Sequence, residues 1–198
     1  FAEWYSAPLS RDDWLAGGIL ILLSSIFIPL NILVIILMKR QDREIIGYRF
    51  LVSSFFADLL CMTNYGPLVG VTILFKTPLI PPAHRGAMQV YFNWSWWSMV
   101  FHLPLIAYSR FHAIKEPNAF RRQPRWFSYS LCFGAAACGF IWVCISTHFL
   151  DSNVIFYYEP AMYGLLAEDI EKYQRDGQSL KYTSLNAVLV AIPLVLYR

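Results

Sequence analysis

The chain has 198 residues, of which 57% are hydrophobic, 17% aromatic and only 15% charged, with a formal net charge of +3. Soluble domains carry about 25% charged residues, so too little polar surface is present to coat a water-soluble globule. A soluble enzyme, a nucleic-acid binder and a disordered tail are excluded, and one membrane domain is expected.

The first residue is Phe1, no charged-then-apolar signal peptide follows it, and the last two, Tyr197 and Arg198, close an apolar run. The chain therefore reads as a piece of a longer protein. A helix needs about 20 mainly apolar residues to cross a hydrocarbon core. Leu15–Met38 carries no charge, and Phe50–Phe75 carries only Asp58. Ala87–Ser109 and Trp126–Leu150 contain no Asp, Glu, Lys or Arg, and a fifth run starts near Tyr182 and reaches the chain end. The expected architecture is all-α, a multi-pass transmembrane bundle over 1–198 with spans at about 15–38, 50–75, 87–109, 126–150 and 182–198. Pro29, Pro67, Pro104 and Pro193 fall inside spans, where neighbouring helices re-satisfy the freed carbonyls.

Segments 39–49 and 110–125 hold nine Lys or Arg in 27 residues, whereas 1–13, 76–86 and 151–181 hold six in 55. This bias puts the N-terminus outside and the two basic loops in the cytoplasm. Nine of the 13 acidic residues lie on the outer side, mostly in 151–181. Cys61, Cys132, Cys138 and Cys144 all lie in apolar stretches and read as small buried hydrophobes. No CxxC or Cys/His spacing suggests a metal, and no cofactor is expected.

A charge at mid-span costs about 2.5–3.5 kcal/mol, so Asp58 requires an inward-facing position. Asn31 lies at comparable depth, and an Asn31–Asp58 contact is expected, either as a structural hydrogen bond or as a switchable site for a proton or ion. Arg110, at the inner end of the third span, reads alone as an anchor that snorkels to the interface.

Taken together, Asn31 in the first span, Ala57-Asp58 in the second, Arg110-Phe111 closing the third and Pro117 seven residues later resemble the rhodopsin-type seven-helix G-protein-coupled receptors. Trp142 and Pro193 are similar to a tryptophan and a proline of that family's fourth and fifth helices. The run Tyr108-Ser109-Arg110-Phe111-His112-Ala113-Ile114 before Pro117 looks most like nematode serpentine chemoreceptors of the Srx type. The resemblance implies helices one to five of seven, a small-molecule ligand outside, and a heterotrimeric G protein docking inside on Arg110, Phe111, Ile114, Pro117 and Arg121. Two departures stand out. Ser109 replaces the acid usual before the arginine, and loop 151–181 lacks the cysteine of the family's outer disulfide. Loop rigidity must then come from elsewhere, or the loop is mobile.

With Arg110 facing the bundle interior, helical periodicity puts Ala107, Leu103, Val100 or Met99, Trp96, Phe92 or Asn93, and Gln89 on one stripe. Its outer half is aromatic, with amide handles and no acid, so an uncharged, partly apolar or aromatic ligand is expected. The expected ligand residues are Gln89, Phe92, Asn93, Trp96, Val100, Tyr157, Tyr158, Tyr182 and Asn186, with Glu159 at the rim. The bland reading of Trp94, Trp96 and Trp97 is an interfacial aromatic belt. Asn93-Trp94-Ser95 matches a glycosylation sequon but lies within a span and should stay unmodified. The charged segment 168–176 reads as a solvated turn or short helix. Other readings are an ion or proton channel or carrier using Asp58, a non-signalling fragment, or an intramembrane enzyme on His102 and His148. The last has no GxSxG, HExxH or paired carboxylates behind it, so an enzyme is not expected.

Overall fold

The computed structural model describes residues 2–77, 80–148, 154–175 and 178–196. The side chain of His148 and the expected span ends at 149–150 and 197–198 lie outside the described residues. Five long helices form the bundle: α1 (Arg11–Gln41), α2 (Gly47–Leu74), α3 (Arg85–Lys115), α4 (Arg125–His148) and α5 (Gln178–Leu196). Short helices Ala2–Ser6, Pro117–Arg121 and Ile170–Arg175 lie outside it. Among the described residues three helices, α1, α2 and α4, are long and apolar enough to cross a membrane. At 31 residues α3 matches α1 in length, but Trp, Tyr, Ser, Asn and His dilute its hydropathy. α5 contributes a shorter apolar run, Leu180–Leu196.

Local chemistry starts and bends these helices. Ser10 caps α1: its Oγ accepts from Asp13 N at 3.1 Å, while Asp13 Oδ2 accepts from Ser10 N at 2.8 Å, a reciprocal capping box. Pro67 lacks an N–H, and α2 widens around it into one π turn, Asn64–Leu68. Asn64 is thereby turned onto α3, where its Nδ2 donates to Ser95 Oγ at 3.1 Å.

Small residues let the backbones approach closely. On the α1–α2 seam, a Cβ at Gly70 would stand 2.9 Å from Gly17 O. On the α3–α4 seam, a Cβ at Gly139 would stand 2.8 Å from Ser98 N and 3.0 Å from the Trp97 carbonyl carbon. Trp97, fully buried, packs there with Val100, Val143 and Leu189, so α3, α4 and α5 share one core. Gly139→Ala is expected to force α3 and α4 apart at a cost of about 2 kcal/mol, read as a lower Tm in detergent. Gly134→Ala, whose Cβ meets nothing within 4 Å, serves as the neutral control.

The loop before α5 carries a feature not anticipated from the sequence: an antiparallel hairpin of β1 (Phe156–Glu159) and β2 (Gly164–Ala167), paired from Phe156↔Ala167 to Glu159↔Gly164. The bundle remains all-α apart from this cap. Within the charged segment after it, Ile170–Arg175 is the short helix.

Candidate functional site

At the hairpin end the sheet lies over the bundle and encloses two adjoining spaces. A small cavity of about 40 Å³ lies between β1, the outer parts of α2 and α3, and the N-terminal segment, lined by Tyr5, Thr72, Arg85, Gln89, Phe92, Tyr157, Tyr158 and Glu159, among others. A more open cleft of about 390 Å³ is lined by Tyr65, Asn93, Trp96, Trp97, Phe156, Leu165, Tyr173 and Tyr182. Phe156 borders both.

Seven of the nine expected ligand residues therefore line one space or the other: Gln89, Phe92, Tyr157 and Tyr158 the first, Asn93, Trp96 and Tyr182 the second. Two do not. Val100 is buried in the α3–α4–α5 core, because the α3 stripe splits between a side packed on neighbouring helices and an open side. Asn186 donates to Tyr182 O at 3.1 Å on its own helix. Trp97, read as a belt residue, is core.

The cap is pinned by a cluster around Asp13, which is 0% exposed. Lys76 Nζ lies 3.2 Å from Asp13 Oδ2 and donates to Trp4 O at 3.0 Å and Pro8 O at 3.1 Å. Trp4 Nε1 donates to Asp13 Oδ1 at 3.3 Å, and so does Tyr163 OH. Lys76 and Tyr163 are the two non-glycine residues with positive φ among those described, at 47° and 51°. Each such conformation costs about 1–2 kcal/mol, and both deliver a donor to the same carboxylate. Burial works to raise the Asp13 pKa, but the bonds from Tyr163, Ser10 and Lys76 outweigh it and hold the carboxyl well below its usual range. The bond to Asp13, then burial, raises the Tyr163 phenol. Here the loop is held without a disulfide.

The bundle superposes on the crystal structure of squid rhodopsin with a TM-score of 0.72, covering 99% of this chain and 55% of that chain at 12% sequence identity. The fold is rhodopsin-like. The chain thus spans about half the length of the solved structure it matches, and its sequence matches no family model and no curated protein.

In this rhodopsin-like bundle the polar residues expected at mid-span are arranged differently from the expectation. Asn31 is buried, but its Nδ2 meets Met62 Sδ at 3.9 Å and its Oδ1 has no partner. Asp58, one turn before Met62, is half-buried and makes no hydrogen bond or ion pair among the described residues. The expected Asn31–Asp58 contact is replaced by Asn31–Met62, since counting residues from span ends fixes depth only to within about a turn. Arg110 does not face the packed interior. It is exposed, as are Leu103 and Trp96 at seven-residue steps back along α3, and this open side runs from the cleft to the opposite end. His102 is spent in packing: its ring nitrogens meet Ser53 Oγ at 2.8 Å and Ser98 O at 2.6 Å. Among the described residues no group of three His, Cys, Asp or Glu could hold a metal.

At the end opposite the hairpin, Phe111, Ile114, Pro117 and Arg121 are exposed beside Arg110. Two residues organise the loops there. Arg49, 4% exposed, donates from Nε to Asp42 O at 3.1 Å and from Nη1 to Gln123 O at 3.2 Å and Ser128 Oγ at 3.3 Å. The Asp42 carboxylate accepts from Tyr129 OH at 2.6 Å and pairs with Arg125 at 2.8 Å and Lys39 at 3.3 Å. The Tyr129 bond first, then Lys39 and Arg125, lower its pKa against the effect of burial.

Proposed function

We propose that the chain comprises helices one to five of a seven-helix, G-protein-coupled receptor. It would lie in the plasma membrane with its N-terminus outside and sense a small molecule with an apolar or aromatic body. The observation that carries this reading is the pairing of a capped, aromatic-lined chamber at one end of a rhodopsin-like bundle with an exposed, basic α3 terminus at the other. The open side of α3, with Trp96, Leu103 and Arg110 in line, offers the surface on which two further helices would close. The subclass proposed is chemosensory, of the nematode serpentine kind, on the strength of the run from Tyr108 to Pro117.

The ligand contacts Gln89, Phe92, Asn93, Trp96, Tyr157, Tyr158 and Tyr182, and it shifts the bundle only by favouring one arrangement over another. Arg110, Phe111, Ile114, Pro117 and Arg121 form the G-protein face. Asn31 and Asp58 are the two mid-span polar groups that change partners between states, with an unpartnered Asn31 Oδ1 and, among the described residues, an unpaired Asp58 carboxylate.

The test is ligand-stimulated nucleotide exchange on a heterotrimeric G protein by the full-length receptor, with ligands found by screening neutral and amine-bearing aromatic small molecules. Arg110→Ala is expected to lower the stimulated rate at least tenfold at unchanged surface level. An unchanged rate would overturn the assignment.

A further inference from the structure

The cavity beneath the hairpin contains chemistry that the aromatic cleft beside it lacks. Glu159, 5% exposed, ends β1 and lines this cavity. A carboxylate offers about four acceptor sites, and among the described residues Glu159 Oε1 alone is engaged, by Tyr5 OH at 2.9 Å and Ala161 N at 3.4 Å, both neutral donors. The cation on the same wall is engaged elsewhere: the Arg85 guanidinium lies 4.2 Å from the centre of the Tyr157 ring and 3.9 Å from Glu168. Gln89, 2% exposed, is a second unfilled acceptor. Its Nε2 donates to Val154 O at 3.1 Å, which fixes the way the amide faces, and its Oε1 is left without a partner. On α3 itself the lining is Arg85, Met88, Gln89 and Phe92, with no acid.

Glu159, bonded only to neutral donors, and a neighbouring orphaned carbonyl together form a site short of hydrogen-bond donors, and the Arg85 charge on the same wall acts on Tyr5 but makes no ion pair with Glu159. Buried polar groups left in that condition are costly, and the group that satisfies both at once is a protonated amine. Resting on the receptor reading above, we propose that this cavity binds the ammonium group of an aromatic amine. Glu159 from the hairpin acts as its counter-charge and Gln89 as a second acceptor. The aromatic body extends past Phe156 into the cleft of Tyr65, Trp96 and Tyr182. The neutral ligand expected from α3 alone is thereby revised, because the acid comes from the cap and not from the helix.

The experiment uses the full-length protein in lipid nanodiscs and three probes with one phenyl body: 2-phenylethylammonium, 2-phenylethanol and 3-phenylpropionate. Binding is followed by tryptophan fluorescence and by the shift in Tm. The ammonium is expected to bind at least tenfold more tightly than the alcohol. Glu159→Gln, which keeps an acceptor for Tyr5 and Ala161, should bring the two within about twofold. Tyr5→Phe, which vacates a position on Glu159 without removing its charge, should retain the preference. Equal or tighter binding of the alcohol or the acid, or a preference surviving in Glu159→Gln, overturns the charge assignment and leaves the receptor reading intact. Failure of all three probes overturns this site, while the Arg110→Ala exchange assay tests the receptor reading on its own.

Discussion

Asp13→Ala is expected to release the cap as a unit, lowering the Tm in detergent by several degrees. Hydrogen exchange should become faster at 2–13, 76–77 and 156–167 and stay unchanged at the α3–α4 seam. The substitution leaves Lys76 buried without its counter-ion, strands donors from Trp4 and Tyr163, and removes the α1 capping box. Breaking one partner of a buried pair costs about 3–5 kcal/mol, and the lower end applies to a cluster one layer deep at the end of a bundle. Lys76 and Tyr163 would then hold left-handed conformations with nothing to offset them. Asp13→Asn retains acceptor capacity and should cost less. An exchange pattern in which the hairpin alone loosens would show that the segments are held independently.

The same cluster sets an acid limit. The Asp13 carboxyl is held below its ordinary pKa in the folded protein, so its contribution is complete above about pH 4, the unfolded carboxylate value. It is lost as pH falls from there through the depressed folded value. Asp42 titrates in the same direction at the other end, with the Tyr129 hydrogen bond its largest cause. Both ends should loosen together on acidification below about pH 4, whereas Asp13→Asn should remove that sensitivity only from the hairpin end.

How far such features could be read from the sequence depends on range. Apolar runs report helices because lipid demands them over some 20 consecutive residues, and a bundle is legible from composition alone. Ser10 and Asp13 read locally as a helix cap. Nothing nearby reveals that Asp13 also receives Tyr163, 150 residues later. The hairpin strands are four residues each and bury little, so their period-2 pattern is lost among the tyrosines. Glu159 was placed at the rim, yet its near-complete burial depends on the Tyr5 contact, 154 residues away. The Asn31–Asp58 pairing failed for a related reason: helix tilt and stagger decide which turn meets which, and the sequence carries neither. The seven-residue alignment of Trp96, Leu103 and Arg110 was visible, but which side of α3 the neighbouring helices cover was not.

Arg49 shows the same limit most sharply, and its replacement carries the second large effect. As one of nine cations in the two basic loops it reads as a membrane-interface anchor, with its guanidinium in solvent. Instead the side chain is buried and joins three segments: the loop after α1 through Asp42 O, the loop before α4 through Gln123 O, and α4 through Ser128 Oγ. Arg49→Ala is expected to cost about 3 kcal/mol, from buried acceptors left unsatisfied at about 1–3 kcal/mol each. Arg49→Lys keeps the charge but not the planar fork, and one ammonium on a shorter reach cannot serve all three oxygens. It should recover less than half of the loss in Tm. Because Gln123, held by Arg49, is bonded through its N–H to Phe120 O at 3.1 Å in the short helix Pro117–Arg121, loosening it moves the proposed G-protein face while Arg110 itself is untouched. Arg49→Lys should therefore reduce nucleotide exchange with ligand affinity at the hairpin end preserved. Full exchange activity in a destabilised Arg49→Lys protein would show that the loop conformation held by Arg49 is dispensable for docking.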